Sequence, residues 1–388
     1  MSPATSTGPE QGPTGGGGPP AALGIDLGGT KVLGVVLDAH GEVLAERRLP
    51  TPTGPSSVVA AVVEVTLALE AAVARDAPTT GGPLPLGVGV PGLVEAGGVL
   101  RAAPHLPGVR DLAVGDRVRA ALVDARGRQR ASQTVVVEND ATGAVVGEVA
   151  LGAARGVEEV LLVTFGTGLG GGLVSGGRLV RGRHGLAGEF GHMVVDPEGL
   201  ACPCGRRGCW EQYASGGGLV RLARGAAAAG SLHRALELAG GDPDRLRGEH
   251  VSVAAAAGDA DALGVLDALA RWIGLGLANL ATALDPEVIV VGGGLIGAGD
   301  LLLEPVRTHL GEMIMGAGHR PVPRVVAAGL GERAGAVGAA LMAARAVQAA
   351  GVPGVVVPSD RGPGLPLGGL AGDRGQPDPG PAGPLRSR

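Results

Sequence analysis

Two α/β domains facing a shared cleft are the architecture that this sequence predicts, because one pattern occurs twice. Residues 22–36, ALGIDLGGTKVLGVV, read as strand, glycine turn and strand, with β-branched residues after Lys31 continuing the second strand. Residues 160–174, VLLVTFGTGLGGGLV, repeat that order. Each copy is followed by a third strand-like piece, EVLAERRLP after the first and RLVRGRHG after the second. Repetition of one unit in separate halves implies duplicated domains, and strands alternating with helices define the α/β class.

Taken in order, residues 57–75 form an amphipathic helix, residues 86–90 a strand, and Pro91-Gly92 a turn. A strand at 134–137 ends at Glu138-Asn139-Asp140 before a helical stretch at 141–153. The apolar run 265–284 is interrupted by Asp267 and Arg271 and closed by Asp285-Pro286, which marks a buried helix instead of a membrane span. Residues 287–291 are a buried strand running into Gly292-Gly293-Gly294, and residues 334–349 are a final helix. The boundaries expected are a small domain at 21–138 and a large domain at 139–333. The tails 1–20 and 351–388, holding 11 and 18 Gly or Pro residues, are expected to be disordered because they lack apolar matter to offset ordering entropy.

A net charge of −5 gives no electrostatic footprint for nucleic acid or an anionic membrane. The N-terminal segment lacks the basic and apolar regions of a signal peptide. Three cysteines clustered in a chain without a secretion signal point to a reducing cytoplasm and to metal binding over disulfides.

All three are Cys202, Cys204 and Cys209, with His192 ten residues upstream of the first. Three thiolates and an imidazole are a tetrahedral zinc set, and four protein ligands close the sphere, so the expected Zn2+ is structural. The alternative is three inert buried thiols and a core histidine. Glu189 and Glu211 flank the ligands, either as surface acids or as groups facing a small polar ligand. If one His192 nitrogen binds zinc, the other is held in a fixed direction and can bond that ligand.

Asp26 ends a strand and precedes Gly28-Gly29-Thr30-Lys31, where backbone N–H groups can approach phosphate and Asp26 can hold Mg2+. Lys31 is the only lysine in the chain. A plain hairpin turn is the competing explanation. Gly166-Thr167-Gly168 and the glycines up to Gly172, Gly170 among them, superficially fit a dinucleotide fingerprint. The following segment is a strand, so no helix N-terminus receives a pyrophosphate. A second phosphate loop opposite the first fits better, and Gly293 marks a third glycine turn that could lie against a nucleotide. Asn139-Asp140 at a strand end suits a general base for an attacking hydroxyl; a helix N-cap accounts for the same residues.

Together these motifs resemble the ROK-family sugar kinases, bacterial ROK glucokinases above all. The resemblance spans about residues 22–347 and is carried by GIDLGGTK at 24–31, VEND at 137–140, GTGLGGG at 166–172, GEFGH at 188–192, CPCGRRGCWEQYAS at 202–215 and DPEVIVVGGG at 285–294. It implies two actin-like (ribonuclease-H-like) domains closing on ATP with Mg2+ and a hexose, glucose before N-acetylmannosamine, N-acetylglucosamine or another hexose. By position, Asp140 is then the base that deprotonates the 6-hydroxyl, and Asn139, Glu189, His192 and Glu211 hold the other hydroxyls. His192, Cys202, Cys204 and Cys209 bind zinc, and the 24–31 and 166–172 loops hold phosphates. The helix at 334–349 returns to the small domain, and a homodimer or homotetramer is expected. His105 and Thr142 stand where the family commonly has Asn. Family repressors carry a DNA-binding module before the first glycine loop, where only about 20 residues precede it here. A non-catalytic sugar-binding regulator is disfavoured by Asp140 and the paired loops, and polyphosphate as donor is disfavoured by the zinc signature.

Overall fold

The computed structural model describes residues 18–74, 82–127 and 133–350. The tails expected at 1–20 and 351–388 lie outside these residues, apart from 18–20.

The first sheet begins with the antiparallel strands β1 (Pro20–Leu27), β2 (Lys31–Asp38) and β3 (Val43–Pro50). Helix α1 (Pro55–Ala74) follows and packs one face against them. Its buried Val58, Val62, Val65 and Leu69 recur at helical spacing. They meet Leu23, Ile25, Leu27, Val32 and Val36 from alternate positions of β1 and β2. Strand β4 (Leu86–Val90) joins β1 in parallel. A small antiparallel sheet of β5 (Leu93–Val94), β6 (Val99–Ala102) and β7 (Arg110–Ala113) leads to α2 (Val114–Arg126). β8 (Val135–Asn139) then completes the order β3-β2-β1-β4-β8.

Helix α3 (Asp140–Leu151) starts directly from β8 and enters the second half. There β9 (Val160–Phe165), β10 (Leu169–Ser175) and β11 (Arg178–Leu179) are antiparallel. A helical block follows: α4 (Glu211–Ala214), α5 (Gly216–Ala228), α6 (His233–Leu238), α7 (Gly248–Ala256) and α8 (Ala260–Leu284). Strand β12 (Val288–Gly292), α9 (Asp300–Met313), β13 (Arg324–Ala327) and α10 (Ala334–Ala349) finish the described chain. The order β11-β10-β9-β12-β13, with β12 and β13 parallel to β9, repeats the first sheet strand for strand. The duplication read from the two glycine patterns is therefore real, although the second third strand is only two residues long.

By length and hydropathy α1 and α8 could cross a membrane. Their apolar faces are occupied instead, α8 burying Leu266, Leu269, Ile273 and Leu277 in the core of the second half.

Between the sheets lie α10, packed on β1, β2 and β4, and α3, packed on β9 and β10. The two helices touch backbone to backbone: a Cβ on Gly338 would collide with the carbonyl of Gly143, and one on Gly147 would sit 2.7 Å from the Ala334 carbonyl oxygen. On the sheet side, a Cβ on Gly87 would run into the Ala339 carbonyl. Gly87→Ala should therefore cost about 1–3 kcal/mol through overpacking. Urea unfolding should show a lowered midpoint; an unchanged midpoint would mean that α10 can lift off the sheet freely.

Candidate active site

The junction of β8 and α3 sets the central carboxylate. The helix begins one residue earlier than the sequence pattern placed it, and its N-cap is Asn139, whose Oδ1 accepts the Thr142 N–H at 3.0 Å. Asn139 Nδ2 also donates to the Gly92 carbonyl at 3.2 Å. Capping thus falls on Asn139, while the Asp140 carboxylate accepts the Ala141 N–H at 2.8 Å. Burial pushes the Asp140 carboxyl up to about 6, the Ala141 N–H opposing and repulsion by Glu189 adding to it.

Asp26, at the end of β1, is its neighbour. A Cβ on Gly89 would lie 3.4 Å from Asp140 Cα and 3.7 Å from Asp26 Oδ1, so the two acids flank one glycine. Burial first, and Asp140 second, push the Asp26 carboxyl up to about 7, against the pull of Lys31. Its Oδ1 is buried without a hydrogen-bond partner. An orphaned buried carboxylate oxygen beside a glycine phosphate-loop pattern suits a hard, oxygen-ligated cation such as Mg2+.

Opposite stands the cysteine loop. Glu189 precedes a short 3-10 turn, Phe190–His192, and bridges at Val194–Cys209 and Ala201–Arg207 fold the following segment back on itself. The ligand atoms of His192, Cys202, Cys204 and Cys209 all lie within 4.8 Å of one another. Cys204 and Cys209 Sγ are 3.6 Å apart, and Cys202 Sγ is 3.8 Å from His192 Nδ1. Tetrahedral zinc–thiolate bonds require sulfur–sulfur edges of about 3.8 Å, so the donor set and its spacing fit zinc. The imidazole faces two ways: Nδ1 towards Cys202 and, at 3.8 Å, Glu211 Oε1, and Nε2 towards Glu189 Oε2 at 3.9 Å. Glu189 is raised by burial, with His192 opposing and Glu211 adding.

Every aromatic residue of the chain, Phe165, Phe190, Trp210, Tyr213 and Trp272, gathers around this loop. Trp210, fully buried, meets Phe165 edge-on at 5.7 Å and donates to the Trp272 carbonyl at 2.7 Å. It lies directly across α8 at Gly276, where a side chain would overlap its ring. Tyr213 stacks on Trp272 at 4.3 Å, while its hydroxyl accepts the Leu200 N–H at 2.8 Å and donates to Asp196 at 3.1 Å. These contacts fix the loop to the second core.

The glycine turns form the remaining wall. The Gly28 N–H bonds the Lys31 carbonyl at 2.9 Å, and Thr51 braces the turn through its N–H to Thr30 and its hydroxyl to Gly28. The Gly166 N–H bonds the Gly168 carbonyl at 3.0 Å, and the first N–H of α5, Gly216, bonds the Gly166 carbonyl at 2.9 Å. Gly293 adopts φ +87°, and a Cβ there would collide with Phe165, so the third glycine turn lies directly on the second. Gly170 lies in β10, and a Cβ there would sit 3.0 Å from Ala141 Cβ, which makes it a packing glycine beneath α3. The Lys31 ammonium is 2.7 Å from Glu332, which Arg48 shares at 2.8 Å.

Some participants fall outside the motifs. His105 lies between the two halves: Cβ atoms on Gly29 and Gly168 would each approach it at 3.0 Å, and Gly168 also faces Glu211 Oε2 at 3.3 Å. Thr51 and Glu332 carry no motif. Ser215, the last residue of the cysteine motif, caps α5 by accepting the Gly218 N–H.

The duplicated sheets thus gather two buried acids, a zinc-type loop opposite them and the glycine turns into one site. The chain belongs to the ROK family, whose pattern matches residues 22–346. It is 42% identical over 325 residues to a glucokinase from Streptomyces coelicolor, covering 83% of this chain and 96% of that one. It is 32% identical over 293 residues to an N-acetylmannosamine kinase of Escherichia coli, covering 75% and 88% respectively. A ROK glucokinase structure from Streptomyces griseus in complex with glucose and AMPPNP superposes with TM-score 0.73 at 39% identity, covering 84% of this chain and 99% of that one.

Asp26 holds its proton in the folded state up to about 7, against 3.8 for the free group. The folded protein therefore binds more protons between those values, and its stability falls as pH rises through that window. Asp26→Asn should raise the melting temperature of ligand-free protein more at pH 8 than at pH 4. An equal gain at both would show that Asp26 is not a strained acid.

Proposed function

We propose that this chain is an ATP-dependent hexose kinase that phosphorylates glucose at its 6-hydroxyl. The observation that carries it is the place of Asp140, at the start of α3 and beside Asp26 across Gly89, where burial raises its carboxyl to about 6. In its ionised form Asp140 accepts the O6 proton as O6 attacks the γ-phosphorus; the O6–P bond forms, the β,γ-bridging P–O bond breaks and ADP leaves. Asn139, Glu189, His192 and Glu211 hold the other sugar hydroxyls. The loops containing Gly28, Gly29, Thr30 and Lys31, and Gly166, Thr167 and Gly168, hold phosphates, with Gly293 against the nucleotide. Asp26 would hold the magnesium ion of MgATP, which neutralises charge on the transferred group. His192, Cys202, Cys204 and Cys209 would hold a structural zinc, which keeps the imidazole and its flanking acids in place.

In this account residues 21–138 with α10 are the small domain and residues 139–333 the large one. The enzyme works in the cytoplasm as a homo-oligomer, a dimer or tetramer. Glucose is placed ahead of N-acetylmannosamine because the glucokinase from Streptomyces coelicolor is the more similar, at 42% against 32% identity.

Asp140→Asn should keep glucose binding by calorimetry yet lose about 10²–10⁴ in kcat; near-normal kcat would remove Asp140 as the base. Because the base must be ionised, wild-type kcat/KM should fall as pH drops below about 6. A flat profile down to pH 4.5 would contradict this assignment. Metal analysis of purified protein should give about one zinc per chain, and Cys204→Ser should lower the melting temperature. Protein without zinc and with unchanged melting would disprove the metal centre.

A further inference from the structure

One ion pair beside the site has no part in the chemistry above. Glu138, the residue before Asn139 in β8, receives the Arg181 Nε–H at 2.6 Å, with side chains only 10% and 24% exposed. Its other oxygen accepts the Asn139 N–H at 3.2 Å, so the carboxylate is fixed from both sides. Arg181 belongs to the other half of the molecule, just past β11, at the start of the segment that ends in Glu189. Its carbonyl accepts the Ala187 N–H at 3.0 Å, and the His184 carbonyl accepts the Ala96 N–H at 3.2 Å. Gly185, at φ +84°, brings the segment so close that a Cβ would lie 2.7 Å from Ala96 N.

The pair therefore joins the strand that delivers Asp140 to the segment that delivers Glu189. Burial chiefly raises the Asp140 carboxyl and repulsion by Glu189 adds to it, and a half-buried charge-assisted bond is stronger than an exposed one. We propose that Glu138 and Arg181 are positioning residues that hold the base and Glu189 at the spacing a hexose needs, before ATP binds. Neither touches the sugar. Their function rests on the sugar-binding roles given above to Asp140 and Glu189.

Arg181→Met and Glu138→Gln should each raise the glucose KM about tenfold, leave the ATP KM within about twofold, and together do no more than either alone. Arg181→Lys should recover part of the loss. Equal rises in both KM values, additive effects, or a lowered melting temperature with normal glucose KM would overturn the proposal. Glu189→Gln, assayed alongside, separates the two claims. A normal glucose KM in that variant would defeat the sugar-site assignment itself, whereas a raised one with unaffected Arg181→Met would defeat only the pair.

Discussion

The contact between α3 and α10 governs the geometry of this protein. The helices approach until Gly338 lies on the Gly143 carbonyl and Gly147 faces the Ala334 carbonyl, a distance that any larger side chain would prevent. Asp140 is the first residue of α3, and Gly335, in the first turn of α10, lies against the Asp26 carboxylate. The separation of the two site acids is thus a consequence of small-residue packing between two helices. Glu148, buried within α3, strengthens the junction. Its carboxylate accepts the N–H groups of Ala153, Gly329 and Leu330 at 2.7–2.9 Å and ties α3 to the turn that starts α10. Fully satisfied buried carboxylates of this kind are costly to disturb.

A different principle builds the opposite wall. No long element carries Glu189, His192 and Glu211, so their positions depend on a loop folded by its two bridges and held by the aromatic group behind it, to which the proposed zinc would add. Trp210 follows Cys209 directly and is locked to α8 by the close approach at Gly276 and by its bond to the Trp272 carbonyl. One wall is held by helix packing and the other by aromatic burial behind the loop. In the proposed reading a sugar between them meets two preorganised surfaces, and positioned groups contribute strongly to rate.

What the sequence disclosed followed from locality. The glycine turns, the cysteine spacing and the strand before Asn139-Asp140 are contiguous patterns, and the repeat of strand, turn and strand disclosed the duplicated sheets. The final helix falls at Ala334–Ala349, as its composition indicated. Contacts between distant residues were not accessible in the same way. Glu138 meets Arg181 43 positions away, and Arg48 meets Glu332 284 positions away, with no motif to announce either. Asn139 and Asp140 were interchangeable as caps until the helix start was fixed. His105 appeared only as a departure from family habit, because its place between Gly29 and Gly168 depends on how the two halves meet. The small sheet of β5, β6 and β7 escaped notice because its strands are two to four residues long.

The reaction to be tested is transfer of a phosphoryl group from ATP to O6 of glucose in this cleft. It is tested most directly by incubating the protein with MgATP and 13C-labelled glucose and following both nuclei by NMR. One ADP should form per sugar phosphorylated, with phosphorus–carbon coupling at C6. No phosphorylated glucose, with N-acetylmannosamine consumed instead under the same conditions, would contradict it.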